Sequence, residues 1–147
     1  MTTAKKHLIR ESVLFLIGGF IYAMIEIIAR GFTHWSMFIV GGLCFVIIGL
    51  INEWYNWMTP FWIQMLFGTL AITSMEFISG YIVNIKLGWN VWDYSSYPCN
   101  LYGQICLSHS FYWFLLSSVA IVLDDFIRWK WFDEREPRYI WIWPGVI

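Results

Sequence analysis

The sequence predicts an all-α, polytopic membrane protein: a four-transmembrane-helix antiparallel bundle with a structured outer loop. Hydrophobic residues make up 59% of the 147 residues and charged residues only 13%, which is about half of the charged share of about 25% in soluble domains. The 11 Trp and 8 Tyr are residue types that are enriched where helices meet the surfaces of a bilayer. Four separate apolar segments indicate four membrane-spanning helices.

Each of the four segments approaches or exceeds the length of about 20 residues that a helix needs to cross the hydrocarbon core. They cover residues 13–29, 35–51, 61–85 and 111–127. Pro60 precedes the third segment, at a favourable position for a helix start. The first two connections are short, so we expect consecutive helices to be antiparallel neighbours. This organisation gives a transmembrane domain over residues 1–132, an outer loop at 86–107, and a cytoplasmic or interfacial tail at 133–147.

The positive charges predict the orientation of the bundle, because cytoplasmic flanks carry an excess of Lys and Arg. With four spans, only Arg30 and Lys86 lie on one side. The other side holds Lys5, Lys6, Arg10, Arg128, Lys130, Arg135 and Arg138. We therefore expect both termini in the cytoplasm. The basic N-terminus is interpreted as the start of a retained first helix, since no A-x-A-like cleavage site follows it.

Ionisable residues inside the spans predict an interior polar site. Such a group costs at least about 2.5–3.5 kcal/mol in a spanning helix, so it usually faces protein or water. Glu26 and Arg30 are one helical turn apart and can pair. Glu76 belongs to a polar stripe on the third segment, together with Thr69, Thr73, Gly80 and Asn84. At about 1.5 Å per residue, Glu26 lies about 6 Å and Glu76 about 15 Å from the outer end.

The candidate binding residues therefore belong to the outer half of the protein. They are Glu26, Arg30, Glu76, Asn84, Asp93, Tyr94 and Asn100. The alternative is that these groups only pair with one another and fix the packing of the helices. We favour this structural interpretation at the inner end, where Asp124 and Arg128 can pair across one turn.

The loop sequence WNVWDYSSYPCNLYGQIC, residues 89–106, is the only long break between the apolar segments. With Glu26, the R-G-F starting at Arg30, and Glu76, its W-D-Y-S…N-x-x-G-x-I-C element resembles the bacterial putative ABC-transporter type IV permease family. The resemblance covers about residues 11–130. That family often has Arg where Gln104 stands, and it usually follows R-G-F with a Gly/Pro-rich segment that is HWSMFIVGGLC here.

The resemblance implies a transport role in the bacterial cytoplasmic (inner) membrane. We expect a small permease or channel-type protein in the lipid bilayer, assembled as a homo-oligomer. The chain has no G-x-x-x-x-G-K-[ST] motif, so an ATPase partner would be a separate polypeptide, as would any other membrane partner. At a net charge of −1, nothing indicates nucleic acid binding. The alternatives are a prophage holin-like pore and an intramembrane enzyme acting on a lipid-linked substrate.

The sequence predicts no cofactor and no metal site, and it makes an enzyme the less favoured interpretation. The histidines and cysteines lack C-x-x-C or H-x-x-x-H spacing. Cys106 or Ser108 could act as a nucleophile with His109 as base, provided that the fold brings them within hydrogen-bond reach. The sequence does not decide whether Cys99 and Cys106 form a disulfide.

Overall fold

The computed structural model describes residues 3–54 and 59–142, and this part of the chain is mostly helical. Its four α-helices are α1 (Thr3–Arg30), α2 (Trp35–Trp54), α3 (Phe61–Gly80) and α4 (Leu107–Phe132). A π-helical segment, Tyr81–Lys86, extends α3. Two short antiparallel strands, β1 (Asn100–Leu101) and β2 (Ile105–Cys106), lie in the loop before α4. The predicted all-α architecture with four helices is confirmed.

Three helical stretches of the described chain are long and apolar enough to cross a membrane. They are Ala4–Arg30, Phe61–Lys86 and Leu107–Phe132. The apolar part of α2, Trp35–Ile51, is shorter than these three. The helices therefore support a membrane protein, whereas a fourth crossing by α2 stays a prediction.

Three helices extend beyond the predicted apolar segments, and α2 does so by only three residues, to Trp54. α1 already begins at Thr3 instead of residue 13, and α4 runs from Leu107 to Phe132 instead of from 111 to 127. The backbone groups of the added turns gain hydrogen-bond partners by staying helical. Apolar content marks the part of a helix that can lie in lipid, so it underestimates the full length of the helix.

The most extensive helix pair is α1 with α2, and reciprocal glycines allow its close packing. A Cβ on Gly19 of α1 would lie 2.7 Å from the carbonyl oxygen of Phe38, and one on Gly42 of α2 would lie 2.7 Å from that of Phe15. Small residues of this kind let helix backbones approach each other in membrane proteins. α2 also packs on α3 and α4, whereas α1 and α4 make only a few contacts. The shortest apolar helix is therefore the central one.

An ion-pair cluster joins the helices at the end of the bundle where α1 begins and α4 ends. Its described members are Arg10, Glu11, Glu53, Asp124, Arg128 and Glu134. The Nε atom of Arg128 lies 2.6 Å from Oδ2 of Asp124, and its Nη1 lies 3.0 Å from Oε1 of Glu53. The predicted pairing of Asp124 with Arg128 is confirmed. The cluster also links α1, α2 and the tail, through contacts that are distant in sequence.

The first part of the tail packs on the start of α3. The hydroxyl of Tyr139 donates to Oδ2 of Asp125 over 2.7 Å, and the backbone N–H of Phe61 donates to the carbonyl of Ile140 over 2.7 Å. Burial raises the pKa of Tyr139, and its bond to Asp125 adds to this effect. The ring centroids of Trp141 and Phe61 lie 5.4 Å apart. Trp143, in the tail that we predict to be cytoplasmic or interfacial, lies outside the described ranges.

Candidate functional site

Glu76 is the centre of the polar site at the loop end of the bundle. Its side chain is on α3 and the residue is 4% exposed. The Tyr94 hydroxyl donates to Oε1 over 3.0 Å, and Nε1 of Trp113 donates to Oε2 over 2.8 Å. Each carboxylate oxygen therefore has one neutral donor, from the loop on one side and from α4 on the other.

A cavity of about 110 Å³ lies beside Glu76, between the four helices. Glu76 is the one charged residue among the described residues that line it. The rings of Tyr22 and Trp113 form an aromatic part of the wall, with their centroids 5.9 Å apart. The rest of the lining is aliphatic, phenylalanine or small, with Cys44 among it. The site thus combines one carboxylate with apolar and aromatic surface.

Glu26 and Arg30 form a second polar group near the same end. Nη2 of Arg30 lies 2.9 Å from Oε1 of Glu26, which confirms the predicted pairing. The hydroxyl of Thr33 donates to Oε2 of Glu26 over 2.7 Å. Arg30 also donates from Nη1 to the carbonyl of Val91 over 2.9 Å. The charge of Glu26 is therefore compensated, and its partner Arg30 connects α1 to the loop.

Asn84 uses its amide to position the loop. Its Nδ2 donates to Oε1 of Gln104 over 2.8 Å, and its Oδ1 accepts the N–H of Val91 over 2.7 Å. The π-helical segment has wider turns than an α-helix, and Val83 and Asn84 are its buried residues. Both ends of the Asn84 amide are thus occupied by the protein itself, in agreement with a structural role.

The first three side chains of the W-D-Y-S element, from Trp92 to Tyr94, each make a different contact. Nε1 of Trp92 donates to the carbonyl of Gln104 over 3.0 Å. Oδ1 of Asp93 accepts the N–H of Ser95 over 2.8 Å and its hydroxyl over 2.5 Å. Tyr94, between them, contacts Glu76. Trp92 and Asp93 therefore fix the loop so that Tyr94 reaches the buried carboxylate.

Asp93 and Asn100 lie in the exposed part of the loop, away from Glu76. The Ser95 hydroxyl, followed by the Ser95 N–H, holds the pKa of Asp93 below its usual range. Nδ2 of Asn100 donates to the carbonyl of Tyr97 over 2.8 Å, and its Oδ1 accepts the N–H of Gly103 over 3.0 Å. Such bonds between a side chain and nearby backbone groups stabilise turns.

His109 connects Tyr94 with Cys106. Its ring stacks on Tyr94 with centroids 4.2 Å apart, and its Nδ1 lies 3.0 Å from Sγ of Cys106. Burial raises the pKa of Tyr94, and the nearby Glu76 adds to this effect. Cys106 is only 2% exposed, so a substrate has little access to its sulfur. Cys99 and Cys106 are both free thiols in the structure.

The structure thus divides the seven candidate residues into three groups. Glu76 lines the cavity and accepts a hydrogen bond from Tyr94, and Glu26 pairs with Arg30. The remaining residues shape the loop: Asn84, Asp93 and Asn100. The helical spacing of Tyr22 and Glu26 places them on one face of α1, whereas Trp113 and the bridging role of Gln104 were not predicted. The spacing of Trp113 from Ser110 and Ser117, by 3 and 4 residues, places it on the polar face of α4 and could have indicated it.

Comparison with known protein families gives a match over nearly the whole chain. The sequence model of the family described as putative ABC-transporter type IV matches residues 8–147. This range includes all seven candidate residues and the loop, and it confirms the resemblance predicted from the sequence. No match was found among curated proteins or among solved structures.

Proposed function

The chain belongs to the putative ABC-transporter type IV family, and from this membership we propose that it is a permease or channel-type protein with a carboxylate-containing site. The family and the apolar helices are consistent with a membrane protein related to transport. Glu76 is the group that we assign to the binding of a cation or a proton. The bound species would pass through the bundle or through an assembly of several copies.

One observation carries this proposal: Glu76 is buried beside a cavity without a cationic partner among the described residues. A buried carboxylate is costly unless a positive charge or a proton compensates it. Its two hydrogen-bond donors, Tyr94 and Trp113, are neutral and supply only part of that compensation. Intramembrane acids of this kind typically mark the paths of ions or protons.

Glu26 and Arg30 have a different role in the proposal. Their mutual ion pair leaves no net charge, so this pair is less suited to retain a cation. It lies where α1 meets the loop, through the bond from Arg30 to Val91. We assign it to the outer mouth of the path, where it holds the loop over the site.

The proposed topology has four crossings with the loop outside and both termini in the cytoplasm. α2 has 20 residues, which corresponds to about 30 Å at about 1.5 Å per residue. This length equals the thickness of a typical hydrocarbon core, about 30 Å. The central position of α2 supports a crossing even though its apolar part is short. The bacterial inner membrane and a homo-oligomer complete the proposal, and an ATPase or another membrane chain is its candidate partner.

The test is cation and proton flux in proteoliposomes that contain the full chain. We expect wild-type flux that Glu76→Gln reduces at least about tenfold, because this change removes the charge but keeps the shape. Glu26→Gln should alter the flux less. Glu136→Gln, which neutralises an exposed carboxylate of the tail, is the matched control and should leave the flux unchanged.

Oligomer size, measured in the same detergent, identifies the active assembly. A well-folded chain that carries neither cations nor protons would overturn autonomous transport. Co-purification of an ATPase or another membrane chain that restores flux would then favour a partner-dependent permease. Equal flux from the wild type and Glu76→Gln would remove Glu76 from the path.

A further inference from the structure

We propose that the cavity beside Glu76 binds a small lipophilic organic cation, such as a compact alkylammonium ion. This inference rests on the proposed function and specifies its substrate class. It depends on three properties of the cavity: the number of oxygen ligands, the chemistry of the wall, and the position of the opening.

The number of oxygen ligands disfavours an inorganic cation. Ions such as Ca²⁺ and Mg²⁺ take about six or more oxygen ligands. The described side chains of the lining supply only the two carboxylate oxygens of Glu76 and the hydroxyl of Tyr22. Backbone carbonyls within helices already accept a helix hydrogen bond and point along the helix axis. A bare metal ion would therefore lose most of its hydration without replacement.

The wall of the cavity suits an ion whose charge is surrounded by carbon. Such an ion needs one counter-charge, which Glu76 provides, and apolar contacts for its alkyl groups. Aromatic faces add a favourable electrostatic contact with organic ammonium groups, and the rings of Tyr22 and Trp113 are both in the lining. The absence of a cationic residue among the described lining residues also disfavours an anionic ligand.

The size of the cavity limits the ligand to a small molecule. Its volume of about 110 Å³ is somewhat below the about 150 Å³ of an engineered cavity that accommodates benzene. A tetramethylammonium-sized ion is therefore a suitable probe, whereas ions with several aromatic rings are too large.

The opening of the cavity lies on the apolar flank of the bundle. Two lining residues are exposed, Ile21 on α1 at 38% and Val119 on α4 at 60%. These two helices make few contacts with each other, so the gap between them leads to the side of the bundle. In the proposed topology this flank faces lipid, from which a lipophilic cation can arrive.

The test is equilibrium binding of radiolabelled tetramethylammonium to the full chain in detergent. We expect saturable binding, with a dissociation constant that rises at least about tenfold in Glu76→Gln and is unchanged in Glu136→Gln. A tenfold excess of tetramethylammonium should displace the bound label, and K⁺ or the similarly shaped neutral tert-butanol at that concentration should not. Circular dichroism and gel filtration establish that each variant is folded.

Val119→Phe provides a second test that leaves Glu76 in place. The larger ring fills the opening at an exposed position, so we expect weaker or slower binding from a folded protein. Displacement of the label by K⁺ at the same concentration would overturn the organic-cation inference but would still indicate a cation site. Cation or proton flux without any tetramethylammonium binding would overturn it and retain the proposed function. Absence of both flux and binding would overturn this inference together with autonomous transport.

Discussion

At the scale of single residues, the neighbours of a group decide its role more than its type does. Glu26, Glu76 and Asp93 are all carboxylates near the loop end, yet their partners differ. Glu26 pairs with Arg30, Asp93 accepts two bonds from Ser95, and Glu76 accepts two neutral donors beside a cavity. Of these three described acids, Glu76 is the one suited to replace a neutral hydrogen-bond donor with a cationic ligand.

The hydrogen bonds of Asp93 predict a pH dependence of the loop. Because its pKa is lowered in the folded protein, ionised Asp93 stabilises the loop above the unfolded pKa of about 3.9. This stabilisation is lost as the pH falls through the lower, folded pKa. We expect the NMR signal of the Ser95 amide to titrate in that acidic range. The Asp93→Asn variant should show no such titration, and an unchanged titration would contradict this assignment.

At this scale, contacts within one helix could be predicted from the sequence. The pairs Glu26–Arg30 and Asp124–Arg128 were predictable because a spacing of four residues places two side chains on the same helix face. The contact of Glu76 with Trp113 was not, since it joins residues 37 positions apart. Its geometry depends on how α3 and α4 pack, which hydrophobic pattern alone does not specify.

At the scale of elements, glycines explain how α1 and α2 pack closely. Gly42 contacts the Phe15 backbone and ring, and Gly19 contacts those of Phe38 in the same way. In the sequence, each of these glycines indicates only a small residue on its own helix. Their partners became visible with the helix pair itself, because interhelical register is a property of two segments and not of one.

We predict that enlarging one of these glycines separates the helix pair. Gly42→Val places atoms where the Phe15 ring and backbone lie, and overpacking of this kind costs about 1–3 kcal/mol. Thermal unfolding in detergent should show a lowered Tm. Leu43→Val, at the neighbouring exposed position of α2, is the control and should change Tm far less. Equal Tm values for the two variants would argue against the close packing.

At the scale of the whole molecule, two polar groups mark opposite ends of the bundle. The loop end contains Glu76 and the cavity, and the other end contains the ion-pair cluster. The class of protein and the existence of four helices were predictable from apolar content. The extent of α1 was not, because its first turns carry the buried Arg10, whose partners Glu53 and Glu134 belong to distant parts of the chain.

Arg128 is the residue of the cluster whose loss should affect the whole molecule. It is 3% exposed and contacts Asp124, Glu11 and Glu53. Arg128→Met would leave these carboxylates without that cation, and removing one partner of a buried pair costs about 3–5 kcal/mol. Unfolding in mixed micelles should report this loss of stability. Arg135→Met removes an exposed cation as the control, and a similar small effect for both would contradict the prediction.

The contacts of the tail have a consequence for biosynthesis. Arg10 leaves the ribosome long before Glu134, its partner 124 residues later. The hydrogen bond from Phe61 to Ile140 likewise requires a residue that is translated later. The first helix is therefore made with an arginine that has only its neighbour Glu11 as an ion-pair partner, because Glu53 and Glu134 are translated later. A ribosome stalled within α4 would hold a chain that still lacks Glu134 and Ile140, so these contacts at this end of the bundle could not yet form.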